Sequence, residues 1–206
     1  TNPFKFGAVA GSDAHNGLSA IEENNFFGKF VSGEPRPDRW NEDAMRQGDR
    51  GVKGYEMSAA GWTGVWATAN TREAIWDAMM RRETYATSGP RMSVRFFGGF
   101  DFMAQDAAAH DPATVGYAKG VPMGSDLGGA PAGKAPVFLV AASKDPIGGN
   151  LDRIQIVKGW LDASGNTHEK IYDVAWGDSN RRKPSANGKL PPVGNTVDLD
   201  TATFRN

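Results

Sequence analysis

A carboxylate and an imidazole stand two positions apart in Gly11-Ser12-Asp13-Ala14-His15. On extended backbone, residues i and i+2 project to the same side, so Asp13 and His15 can address one ion. A carboxylate oxygen paired with a neutral imidazole nitrogen suits Zn, Mn or Fe. The same residues also read as a turn, with Asp13 capping the next segment and His15 at the surface. Asp-x-His recurs by chance, so the spacing alone is a weak signal. Asn16 follows directly and reaches substrate or water in the first reading, or closes the turn in the second. Arg91, after Gly89-Pro90, has the fork geometry to clamp a phosphate bidentately. Its loop equally reads as structural, with Gly89 supplying a positive φ.

Other polar residues have competing readings. Glu22 and Glu23 either hold the ring of His15 through a hydrogen bond or form a solvated acidic face. Ser88 has no base nearby in the manner of a triad. Arg82 reads as a helix-end charge. His110 sits in an Ala-rich loop and His168 beside a hairpin turn, both remote from the Asp13 motif. Trp62, Trp66 and Trp76 read as core, or as the lining of a substrate pocket.

The elements that must position these groups follow from periodicity. Residues 4–10 read as a short buried strand that delivers Asp13 and His15 just past its C-terminal end, where loops converge in α/β folds. Residues 20–30 read as helix or loop, 34–51 as an exposed irregular segment, and 57–64 as a Gly-rich loop. Residues 70–82 are the clearest helix, with Asn70 as N-cap and Glu73 three positions on as in a capping box. Residues 84–87, 92–97, 137–142, 152–159 and 170–176 read as strands. Residues 98–135, rich in Gly, Ala, Pro and Asp, read as a long connection, and Ser164-Gly165-Asn166 as a hairpin turn. Short strands separated by turn signals point to an antiparallel sandwich after residue 92, without an obvious exposed aromatic platform.

Composition bounds the chemistry. The 206 residues contain no cysteine, which excludes disulfides, thiolate nucleophiles and Cys-type zinc sites. Lys+Arg is 23 against Asp+Glu 24, with no basic excess or stripe, so no nucleic-acid partner is expected. No apolar run approaches the ~20 residues that span a bilayer, so no membrane partner is expected. The 26 glycines and 12 prolines call for many turns.

The segment Phe4-Lys5-Phe6-Gly7 followed by Gly11-Ser12-Asp13-Ala14-His15 resembles the late metal motif of the PHP (polymerase and histidinol phosphatase) superfamily. A wider resemblance, to a bacterial PHP-like family of unknown function with a C-terminal β domain, covers nearly the whole chain. It is carried by Asn2-Pro-Phe-Lys-Phe-Gly, Ser12-Asp-Ala-His-Asn-Gly-Leu, Glu22-Glu-Asn-Asn-Phe-Phe-Gly-Lys, Asn70-Thr-Arg-Glu-Ala-Ile-Trp-Asp-Ala-Met and Arg82-Glu-Thr-Tyr-Ala-Thr-Ser-Gly-Pro-Arg. The fold implied is α/β plus all-β: the C-terminal part of a PHP-like distorted β/α barrel over 1–92, then a β-sandwich-like domain over 93–206. The resemblance implies Asp13 and His15 as catalytic metal ligands of a divalent-metal cluster, with a small-molecule ester or phosphoester substrate. The superfamily's early His-x-His motif is not in this chain, whose histidines are His15, His110 and His168. The chain therefore reads as a central-to-C-terminal fragment whose remaining ligands lie in another part of its own chain. Relatives often carry export signals, which implies a periplasmic or secreted protein. The competing readings are a β-rich binding module and a degenerate PHP relative that keeps the fold without catalysis.

Overall fold

The computed structural model describes residues 5–15, 37–38, 40–53, 57 and 61–205. The chain divides into two compact units, Thr1–Ala142 and Ser143–Asn206. Within the first, strands β1 (Asp43–Gln47) and β2 (Arg50–Lys53) form an antiparallel hairpin, turned at Gly48 with φ +63. This segment was expected to be irregular. Its strands are polar, tied by the Lys53–Asp43 ion pair at 2.9 Å, so the apolar alternation that announces a strand is missing.

Strand β3 (Thr63–Val65) lies inside the stretch expected to be a Gly-rich loop and pairs with β4 (Thr84–Ala86). Between them runs helix α1 (Arg72–Met80), whose N-cap is Thr71, one residue later than expected: its side chain accepts from the Ala74 N–H at 3.2 Å. A Schellman motif closes the helix. The Glu83 N–H bonds back to Ala78 O (3.0 Å) and the Arg82 N–H to Met79 O (2.9 Å). Arg82 takes the left-handed position, φ +61, that glycine fills in most such caps.

Strand β5 (Ser93–Gly99) is the centre of a three-stranded sheet, with β6 (Gly120–Pro122) on one side and β7 (Val137–Ser143) on the other. Here lies the core of Phe97, Phe102 and Leu139, flanked by Ala113 and Val115. Helix α2 (Pro112–Lys119) covers it. Asp111 caps the helix through the Ala113 N–H at 3.0 Å, and Pro112 stands at its first position. The expected long connection thus holds a helix, a strand and a 3-10 turn over Ala104–Ala108. That turn is fastened by Asp106, which accepts from the Met103 N–H and pairs with Lys119 at 2.8 Å.

In the second unit, β8 (Arg153–Leu161) and β9 (Thr167–Trp176) form a long antiparallel hairpin, and β10 (Val197–Asp198) pairs with β11 (Thr203–Phe204). The expected turn is present: Gly165 has φ +84, and Asp162 accepts from the Ser164 and Asn166 N–H groups. The unit's centre is polar. Arg182, 5% exposed, donates to Pro191 O, Asp152 O and Gly177 O and pairs with the Asp152 carboxylate. The hairpin carries an exposed aromatic face, contrary to expectation, with Trp160 39% and Tyr172 38% exposed.

The expected α/β-barrel part followed by a β-sandwich is overturned. Among the described residues there are small antiparallel sheets, two helices of nine and eight residues, and no barrel. A β/α barrel needs parallel strands joined by crossover helices. Here β1–β2, β3–β4, β5–β6, β8–β9 and β10–β11 are all antiparallel. A β-rich domain agrees with what is seen. The buried strand expected over 4–10 is not present in its described part, residues 5–10. Phe6 and Val9 are 66% and 65% exposed, so their apolar side chains do not hold the segment as a core strand.

Candidate functional site

Residues 5–10 reach β3 and β4 by side-chain anchorage rather than by a ladder. A Cβ at Gly7 would lie 2.7 Å from Thr84 Oγ1, so glycine permits the approach. Thr63 Oγ1 accepts from the Ala10 N–H (2.8 Å) and donates to Ala10 O (2.6 Å), so one hydroxyl satisfies both backbone groups. Trp62, the residue just before β3, anchors the other candidate loop. The Trp62 N–H donates to Thr87 Oγ1 and the Thr87 N–H to Trp62 O, both at 2.9 Å. Gly89, at φ +123, then turns the chain toward Arg91. The structure therefore gathers the Asp13 loop and the Arg91 loop at the start of β3.

Asp13 and His15 converge: His15 Nε2 lies 3.3 Å from Asp13 Oδ1. The cause differs from the one expected. Asp13 is left-handed, φ +49, a conformation that Asp tolerates because its short polar side chain bonds locally. A tight turn, not strand alternation, brings the two side chains together. Ser12 Oγ accepts from the Ala14 N–H at 3.3 Å and supports that turn. Both side chains are more than half exposed, so solvent and a cation reach them. A carboxylate oxygen with an imidazole nitrogen fits Zn, Mn or Fe, and supplies two of the three or more protein ligands such an ion takes. Among the described residues no group of three or more His, Cys, Asp or Glu side chains is clustered for a metal. Asn16, Glu22 and Glu23 lie outside the described residues.

Arg91 is exposed, and its guanidinium lies 4.4 Å from the centroid of the Trp62 ring. Stacking of this kind fixes the plane of the guanidinium. Trp66 is held likewise: its indole N–H donates to Val94 O at 3.0 Å, and Arg95 lies 3.5 Å over its ring. Trp76, 61% exposed, lines a cleft of about 700 Å³ with Arg72, Ile75 and Met79. Pocket lining thus fits Trp76, whereas Trp62 and Trp66 are half-buried supports for arginines.

One charged cluster has no sequence signal. Glu83, 2% exposed, accepts from the Tyr117 hydroxyl and pairs with Arg81 at 3.3 Å and Arg95 at 3.7 Å. Arg95 Nη1 also donates to the Tyr117 hydroxyl oxygen at 3.2 Å. Burial pushes the Tyr117 phenol above its ordinary value, and the hydrogen bond to Glu83 adds to this. Tyr85 is raised mainly by burial, against the lowering influence of Arg95. Glu83 follows two helix-end arginines in sequence, so its carboxylate reads as one more surface charge until β5 and α2 close over it.

No curated protein and no solved structure matches this chain. A family model spans residues 1–206 from end to end, and on that match the chain belongs to the family described as Protein of unknown function (DUF3604).

Proposed function

We propose that Asp13 and His15 are two ligands of a divalent-metal centre in a PHP-like hydrolase of phosphoester or related ester bonds. The observation that carries this reading is the convergence of the two side chains, 3.3 Å apart, on an exposed turn anchored by Thr63. Further ligands come from the rest of the protein's own chain, because two donors do not complete a site. When bound, such a metal centre supplies an activated water and polarises the ester oxygen. The chain's own contribution is placement. Asp13 presents a carboxylate oxygen and His15 an imidazole nitrogen from a turn that the Ser12 hydroxyl holds. Arg91, fixed on Trp62 at the same end of β3, offers its guanidinium edge to the substrate's anionic oxygens.

Metal analysis of the full-length protein, paired with hydrolysis of an aryl phosphoester, tests the reading. Stoichiometric Zn, Mn or Fe is expected. Asp13→Ala is expected to lose the metal and to lower activity by at least about 100-fold, the upper end seen for removing mere supports of a ligand. Absence of metal together with unchanged activity in Asp13→Ala overturns it.

A further inference from the structure

The β8–β9 hairpin has two unlike faces. Register pairs Ile156 with Tyr172, Lys158 with Lys170 and Trp160 with His168, and directly paired residues share a face. One face therefore carries in turn an apolar pair with one aromatic ring, a cationic pair and an aromatic pair. Successive rows stand about 6.8 Å apart, two residues of strand rise. The acidic residues Glu169 and Asp173 belong to the opposite face, where Gln155 Nε2 holds Asp173 at 2.7 Å. Asp162 borders the lysine face at its turn end, and its carboxylate is taken up by His168 Nε2 at 2.9 Å.

The lysine pair is the informative feature. Like charges directly opposite each other across two strands are unfavourable. Each ammonium rests against a ring of its own strand: Lys158 4.9 Å from the Trp160 centroid and Lys170 4.9 Å from that of Tyr172. No carboxylate on the described residues is seen to pair with either lysine. An anion set between them would turn their repulsion into attraction. Trp160 and Tyr172, more than a third exposed, offer flat apolar rings on either side of that charge. His168 stacks on Trp160 with centroids 5.3 Å apart and, being tied to Asp162, holds the indole in place.

We propose that this face binds an acidic oligosaccharide, a sugar chain carrying carboxylate groups. The anionic group lies between Lys158 and Lys170, and the neighbouring sugar rings rest their C–H groups on the parts of Trp160 and Tyr172 that Lys158, His168 and Lys170 leave exposed. Two cations in a chain of net charge -1 suit a sparsely charged polymer. A nucleic acid has a phosphate on every residue and draws its affinity from many basic contacts. The inference is independent of the metal reading, because no residue is shared.

Calorimetric titration of the full chain at low ionic strength tests it, with a hexasaccharide of alternating glucuronic acid and N-acetylglucosamine as the probe. A neutral N-acetylglucosamine hexamer and a ten-residue oligothymidylate are the comparison arms. The acidic hexamer is expected to bind, and the neutral hexamer to bind at least tenfold more weakly. Lys158→Gln with Lys170→Gln is expected to lower affinity at least tenfold and to remove its salt dependence. Trp160→Ala, checked for an intact circular-dichroism spectrum, is expected to weaken binding at every salt concentration. The proposal is overturned by no binding of the acidic hexamer at millimolar concentration, by equal binding of the neutral one, by tighter binding of the oligothymidylate, or by unchanged affinity in the double lysine variant.

Discussion

The Asp162 carboxyl is held at about 2, chiefly by the hydrogen bond from His168, with Asn166 and the turn's N–H groups adding to it. An ordinary aspartate titrates near ~3.9. The ionised form is thus favoured by folding, and its stabilising contribution is complete above roughly pH 4 and lost as pH falls toward about 2. A carbon-detected NMR titration is expected to show the Asp162 midpoint near about 2, and Asp162→Asn is expected to shallow the acid limb of the stability curve over that window. Glu83 makes the opposite kind of residue-scale argument, because its carboxylate is buried among Arg81, Arg95 and Tyr117. Glu83→Ala leaves Arg95 and the Tyr117 hydroxyl without their shared acceptor. The expected loss is about 2–4 kcal/mol, read as a lower urea midpoint, with Glu83→Gln costing less because it still accepts from Tyr117. Arg182 shows a buried cation satisfied mostly by carbonyl oxygens, with the Asp152 carboxylate as its charged partner.

Helix α2 shows how packing overrides propensity within one element. Gly116 lies mid-helix, where replacement by Ala gains about 1 kcal/mol of helix propensity. A Cβ there would stand 2.5 Å from the Phe97 ring. Overpacking of a filled core costs about 1–3 kcal/mol, and Phe97 is 1% exposed with the Tyr117 ring edge-on at 5.1 Å, so it has little room to yield. Gly116→Ala is therefore expected to destabilise by up to about 2 kcal/mol net, measured by thermal or urea unfolding. Neutral or improved stability would mean that the ring shifts freely. The glycine that breaks the helical pattern to the eye is what allows α2 to lie on β5. The helix escaped the sequence reading for that reason, since eight residues containing Pro112 and Gly116 show little amphipathic period. Helix α1 was legible because Ile75, Ala78 and Met79 repeat at helical spacing, although its cap fell on Thr71 rather than Asn70.

Across the molecule, apolar burial is concentrated in the sheet β6-β5-β7 with α2, while β8–β9 is a two-stranded ribbon exposed along nearly all of β9. Amide hydrogen exchange is expected to reflect this, with slowest exchange in β5 around Phe97 and faster opening along β9. Equal protection in both would contradict it. The sequence alone determined the local features: the hairpin at Ser164-Gly165-Asn166, the strands near 84–87, 92–97 and 137–142, the positive φ at Gly89, and Asp13 with His15 as the pair to watch. These rest on turn chemistry and on periodicity within about ten residues, which a chain shows without its partners. Tertiary structure alone decided which strands are neighbours and so replaced the expected barrel and sandwich with small antiparallel sheets. It also decided that Ala10 and Thr87 are both held at the start of β3, by Thr63 and Trp62, and that Glu83, Arg95 and Tyr117, drawn from three separate segments, share one buried site. Such contacts depend on long-range packing and on polar groups finding partners once water is excluded, and neither leaves a periodic trace along the chain.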